Sequence, residues 1–191
     1  TELETSTEFL TEVDVSRLGW YKLEYKAEDS SGNIAYATRI VQVIDTTAPE
    51  YEVDYSPTNP TYDSVTVTIT TNEQATITGE GWIVDSTGMI FTKVFMANGS
   101  EDVVLTDLSN NTVTVNIKVE NIVNKDLLEN FVNKCKDLDE TKYTVASWNL
   151  YYPVYEAAVE MLQTPHVQTE VDQMYDNLIR AYLSLRLIPK V

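Results

Sequence analysis

A chain of 191 residues with 43% hydrophobic content carries enough apolar mass for more than one core, which excludes global disorder. The formal net charge is −17, with 20 acids against 6 bases in residues 1–120 and 10 against 7 in residues 121–191. That field repels phosphate backbones and anionic headgroups, so nucleic acid and acidic membranes are poor candidates as partners. One histidine, one cysteine and no glycine-rich phosphate loop leave the usual catalytic sets unfilled.

No signal peptide and no apolar run of membrane-spanning length is present. A mature protein or an excised segment, with no membrane insertion, is the expectation. Apolar residues alternate, as in half-buried strands, up to Asn121–Lys125 and recur at helical spacing beyond it. Two architectures are therefore expected head to tail.

The first strand–turn–strand unit is centred on Asp29-Ser30-Ser31-Gly32-Asn33, which precedes the alternating run Ile34–Ile44. The plan returns 78 residues later, where Asp107-Leu108-Ser109-Asn110-Asn111 precedes Thr112–Val119. In both, Asp can hold its own turn backbone, and Gly32 and Asn110 are residue types that tolerate positive φ.

The second copy has room for seven strands: Tyr51–Tyr55, Ser64–Thr71, Ala75–Gly79, Trp82–Asp85, Met89–Phe95, Glu101–Thr106 and Thr112–Val119. That number fits an immunoglobulin-like sandwich. A constant offset sets Thr1 against about Gly79, so the first copy is expected to begin in mid-domain. It would then form a partial sheet covered by a neighbouring copy or by the second domain. Asp45-Thr46-Thr47-Ala48-Pro49 reads as the linker, and Pro49 bars continuation of the ladder.

Gly19-Trp20-Tyr21, Asp29 to Asn33, Val41-Gln42-Val43-Ile44-Asp45 and Thr47-Ala48-Pro49 follow one another as the corresponding elements do in bacterial immunoglobulin-like surface repeats. Residues 1 to about 122 resemble that family. The second copy departs from it in having Asn110 where glycine is usual and no matching T-A-P linker. The resemblance implies spacing and presentation rather than chemistry.

Three helices are predicted after Asn124, with Asn124, Thr144 and Thr164 as their caps and Pro165 at the first position of the third. The first runs from about Lys125 to Leu138 and places Cys135 on its apolar face, as a buried structural thiol. The middle helix has a broad apolar arc that includes Trp148, Leu150, Tyr151, Tyr152 and Tyr155, as the centre of a three-helix bundle requires. Pro153 should kink it near Asn149 or break it into two.

The third helix carries a core stripe from Val167 to Leu185. Ile179, Leu183 and Leu187 lie four apart on another face, where they cover the bundle, rest on the β domain or bind a partner.

Residues 122–189 resemble the FIVAR domain, a small helical module found in various architectures. The likeness rests on Tyr143-Thr144-Val145-Ala146-Ser147-Trp148, then Ala158, Glu170-Val171-Asp172, and Leu178 with Ala181. It implies a noncatalytic module of large wall-associated or secreted Gram-positive proteins, many of them glycan-degrading.

Residues offering chemistry are few. His166 is expected as an exposed first-turn residue without a second metal ligand. Asp137, Asp139 and Glu140 read as solvated helix-end charges, and the sequons at Asn98 and Asn110 read as turns. Calcium stays open as a ligand because many carboxylates decorate the β part, although no loop of regularly spaced oxygen ligands marks a site.

The expected organisation is a partial immunoglobulin-like domain (1–45), an immunoglobulin-like β-sandwich (46–120) and a FIVAR-like three-helix bundle (121–191). The expected role is noncatalytic and cofactor-free: spacing and presenting the neighbouring modules of an extracellular or cell-wall-associated, glycan-acting protein. The alternative is an adhesin whose bundle itself binds host glycan or matrix protein.

Overall fold

The computed structural model of the chain describes residues 5–189, in which three antiparallel sheets precede three helices. The first sheet contains β1 (Thr5–Phe9), β2 (Gly19–Asp29) and β3 (Ile34–Val43), in the order β1-β2-β3. Asp29 organises the β2–β3 turn as its residue type predicts. Its Oδ1 accepts from the Ser31 and Asn33 amides at 2.9 Å each, its Oδ2 accepts from Asn33 Nδ2 at 2.7 Å, and Gly32 sits at φ 82°.

The next seven strands are β4 (Tyr51–Ser56), β5 (Val65–Thr71), β6 (Ala75–Ile77), β7 (Ile83–Val84), β8 (Ile90–Phe95), β9 (Gly99–Asp107) and β10 (Thr112–Val119). Each falls on one of the runs expected from the alternation. They form two sheets, β4-β5-β8-β7 and β10-β9-β6. Period-2 patterning turns Val65, Val67 and Ile69 of β5 inward, and these meet Val103, Leu105, Val115 and Ile117 in one core where every one of them is at most 1% exposed. Asp107 repeats the turn of Asp29 bond for bond, with Asn110 at φ 68° in the place of Gly32.

Register corrects the constant-offset alignment. β1 pairs with β2 from Thr5 opposite Asp29, and β6 pairs with β9 from Ala75 opposite Asp107, so β1 stands where β6 stands. Only nine residues join β1 to β2, whereas β7 and β8 lie between β6 and β9. The 78-residue offset therefore holds from β2 onward and fails before it. Residues 5–43 form the counterpart of β6-β9-β10 alone. The second domain does not cover them, since among the described residues none of 5–43 joins the sandwich core.

The helices are α1 (Asp126–Cys135), α2 (Val145–Met161) and α3 (Gln168–Ser184), with a single 3-10 turn at Glu140–Lys142 before α2. Lys125, not the expected Asn124, is the N-cap of α1 and makes no side-chain cap bond; Asn124, one residue ahead, accepts the Asp126 amide through Oδ1 at 2.8 Å, and Thr144 caps α2 by accepting from Ser147 N. The expected third cap is absent: α3 starts at Gln168 behind Val167, which has no side chain able to accept, so Thr164 and Pro165 lie in the preceding loop.

α2 runs unbroken through Pro153, and the carbonyl that loses its partner belongs to Asn149, an exposed residue. Its apolar arc is narrower in the fold than on the wheel. Ser147, Trp148, Tyr151 and Ala158 are buried, while Leu150 is 70% and Tyr152 40% exposed. The core comes mainly from Val123, Leu128, Val132, Cys135, Trp148, Tyr151, Val171 and Leu178. No helix among the described residues is long and apolar enough to cross a membrane.

Candidate functional site

Two junctions within the chain involve the sandwich, one to the helices and one to the first sheet. The joint to the helices is built from the loop before β5 and the segment after β10. Thr61 N donates to Asn121 O at 2.9 Å and Val123 N to Thr61 O at 2.8 Å, so Thr61 and Ile122 form a short parallel bridge. Asn98 clamps Ile122 from the other side, with Nδ2 donating to its carbonyl at 2.7 Å and Oδ1 accepting its amide at 2.9 Å. Asn121 Nδ2 donates to the carbonyls of Pro57 and Asn59 at 2.8 Å each.

The next residue of that loop, Tyr62, leaves the β part altogether. Its ring packs against the helical core, its hydroxyl donates to Met161 O at 3.0 Å, and Lys125 Nζ lies 4.9 Å from the ring centroid. Burial raises its phenol pKa, in spite of a backbone hydrogen bond acting the other way. A single aromatic side chain thus belongs to the sandwich in sequence and to the bundle in packing.

The second joint lies where the first sheet meets the sandwich. Asp45 caps the linker by accepting from Thr47 N at 2.9 Å, and Asn111 Nδ2 reaches the Asp45 carbonyl at 3.3 Å. Glu50 and Asn72 exchange bonds across the start of β4. Carboxylate oxygens of Asp45, Glu73 and Asp107 converge here within 4.8 Å of one another. Burial, then Asp107 and Asp45, raise the Glu73 pKa. Asp107 is itself 6% exposed, yet its bonds from Asn111 and Ser109 outweigh that burial and hold its pKa down. Hard cations take such oxygens, although calcium takes about six to eight of them.

The residues singled out for chemistry are scattered. His166 lies in the loop ahead of α3 rather than in its first turn, with its side chain 35% exposed, Nδ1 3.2 Å from Glu170 Oε2 and Nε2 3.4 Å from Thr164 Oγ1. Asp139 is a cap: it accepts from Thr141 N and Oγ1, which lower its pKa. Cys135 is 2% exposed, and burial pushes its thiol pKa up, as an inert structural thiol requires.

Ile179, Leu183 and Leu187 do not form one helical stripe. α3 ends at Ser184, and the tail turns back so that Thr144 N donates to Arg186 O and Ile188 N to Lys142 O, with Leu187 opposite Tyr143. Ile179 is half-buried, Leu183 68% exposed and Leu187 67% exposed. An aromatic recess of the bundle lies elsewhere. Trp148 stacks with Tyr143 and with Tyr152, and Trp148 and Tyr152 line a shallow depression of about 530 Å³ with Glu140, Asn149 and Pro153.

Neither Tyr62 nor the carboxylate trio is visible to periodicity. The signal for Tyr62 is an aromatic residue in the polar loop Asn59-Pro60-Thr61-Tyr62-Asp63, where no strand or helix pattern accounts for it.

Residues 1–43 match the family model of the bacterial surface protein Ig-like domain. No curated protein matches the chain in sequence. Among solved structures, the chain is similar to one described as the structure of CBM51-2 in complex with GlcNAc and INT domains from Clostridium perfringens ZmpB, at 14% identity and a TM-score of 0.36. That likeness covers 96% of this chain and 55% of the other, so the chain spans about half the length of its structural neighbour.

Proposed function

We propose that this chain is a noncatalytic spacer and interaction segment of a larger bacterial surface or secreted protein. In this reading residues 1–45 belong to an immunoglobulin-like domain, 46–120 to a second one, and 121–191 to a FIVAR-like bundle. The family match of residues 1–43 supports an extracellular or cell-surface setting. The observation that carries the reading is the Tyr62 joint. A hydrogen-bonded, aromatic-pinned junction fixes the angle between sandwich and bundle, which is the property a presenting module needs.

The test is backbone NMR relaxation on the full chain. β4–β10 and α1–α3 should share one rotational diffusion tensor, and Tyr62→Ala should give each its own while both stay folded. Independent tumbling in the unaltered chain would remove the basis for a spacer.

The Trp148–Tyr152 depression favours a second reading, an adhesin of glycan or matrix protein. Its half-exposed ring beside a carboxylate and an amide is the chemistry that stacks and hydrogen-bonds a sugar. Saturable binding on a glycan array, lost in Tyr152→Ala, would establish it; a blank array leaves the spacer.

A further inference from the structure

The internal repeat supplies its own control for surface chemistry. By the common turn, Asn98 just ahead of β9 and Thr112, Thr114 and Lys118 on the outer face of β10 stand where the first sheet has Trp20, Ile34, Tyr36 and Ile40. In the second unit those four positions are polar. In the first, the four replacements are 70%, 49%, 71% and 57% exposed. A patch of large apolar side chains at positions where the sister copy is polar is not a requirement of the fold.

The charges on that face decide what fits it. β2 presents Lys22, Glu24, Lys26 and Glu28 along one side, already paired as Lys22–Glu24 and Lys26–Glu28. The alternation K-x-E-x-K-x-E becomes its own complement when reversed. A two-fold axis parallel to the sheet, across the strands and midway between two copies stacks β2 on β2 and β3 on β3 of a second copy, running oppositely.

Centred on Tyr25 and its register partner Ala37, this operation sets Glu24 against the second copy's Lys26 and Lys22 against its Glu28. It also sets Ile34 against Ile40 and Tyr36 against Thr38. The four charges of β2 each meet their opposite, and the exposed isoleucines meet each other, while Glu8 of β1, beside Lys26, falls at the rim. Aligned sheet packing, with a crossing of about 30°, brings the central pairs closest.

We infer that the outer face of the β2–β3 hairpin, carrying Trp20, Ile34, Tyr36 and Ile40 between alternating Lys and Glu, is an isologous docking surface for a second copy of this chain. The inference does not rest on the spacer reading. A chain that dimerises through this face stays noncatalytic, and one that does not is still a spacer.

Sedimentation equilibrium of the full chain over a concentration series tests it. The expected result is a rise in mass from 21.6 kDa to twice that value. Ile40→Asp should abolish the rise. Glu24→Lys should weaken the dimer by at least about tenfold, although it moves the net charge of −17 toward zero, because it sets like charges face to face at the centre. The exchange Glu24→Lys with Lys26→Glu should restore the affinity, and circular dichroism should show all variants folded.

A mass that stays monomeric at every concentration overturns the inference. So does association that survives Ile40→Asp but is lost in Val41→Asp, since that would place the contact on the opposite face. Failure of the double exchange to recover what Glu24→Lys removes overturns the antiparallel two-fold arrangement.

Discussion

The hairpins β2–β3 and β9–β10 are one structure built twice, with the same turn bonds and the same place in a three-stranded sheet, yet they differ in what lies across from them. β9 and β10 face β4-β5-β8-β7, and their inward residues are sealed: Leu105 and Ile117 are 0% exposed and Val119 is 1%. The equivalents of these three on the first sheet are Ala27, Arg39 and Val41, which are half-buried or exposed. Turn and ladder therefore form from local chemistry, whereas the demand for large apolar side chains arises only when a second sheet closes over the face.

Exchanging residues between equivalent positions breaks the comparison most sharply. Ile117→Arg puts the first unit's residue into the second unit's core, where the charge has no partner, and should destabilise the sandwich by about 4 kcal/mol or more. Arg39→Ile, its mirror, should change stability by less than about 0.5 kcal/mol. Segment-resolved amide hydrogen exchange reads each on its own sheet. Equal effects would mean that the first sheet is covered in solution.

A milder version uses one substitution twice. Val119→Ala removes two methyl groups from a sealed site and should cost about 2 kcal/mol, while Val41→Ala should cost less than about 0.5 kcal/mol. If the loss at Val41 approaches that at Val119, some further element packs on the first sheet's inner face.

Much of this contrast is legible in the residues. Alternation in β5 and β10 points directly to the core, Asp29 and Asp107 announce their turns, and Asn124 and Thr144 mark helix starts, because each of these signals acts within a few residues. What is hidden is set by long-range packing. A helical wheel places Leu150 and Tyr152 on an apolar arc, but only neighbouring helices decide how much of an arc is used, and α2 leaves both exposed. Leu187 reads as helix until a chain reversal pairs it with Tyr143. Tyr62 and the Asp45–Glu73–Asp107 trio bring together segments far apart in the chain, so periodicity does not register them, and only the polar loop around Tyr62 sets that ring apart.

Sealed cores also differ in how well they satisfy polar atoms. Tyr151 is 1% exposed, and among the described residues its hydroxyl has no hydrogen-bond partner of ordinary geometry, although the Cys135 thiol lies beside it. Desolvation raises this phenol far above its usual range. Tyr151→Phe removes the unpaired group while keeping the ring, and should leave stability unchanged or raise it by up to about 1 kcal/mol in urea unfolding of the bundle. A loss larger than about 1 kcal/mol would mean that the hydroxyl is satisfied in solution.

The smallest effect concerns the two turn aspartates, which are matched in their bonds but not in their neighbours. Hydrogen bonds from Asn33 and its turn hold Asp29 below its ordinary value of 3.8, and Asp107 is likewise lowered; both contribute stability above that value and lose it as pH falls through their folded pKa. Beside Asp107, but with no counterpart next to Asp29 among the described residues, stands Glu73, shifted the opposite way. A carboxyl raised in the folded state favours folding below its ordinary value of 4.5 and opposes it once pH rises through the raised pKa. Glu73→Gln should therefore stabilise the sandwich near neutral pH by less than about 0.5 kcal/mol, and the gain should vanish as pH falls toward 4.5. Melting temperatures of the two chains across that range check it, and a variant that is less stable at neutral pH would show that the three carboxylates are held together by a cation rather than repelling one another.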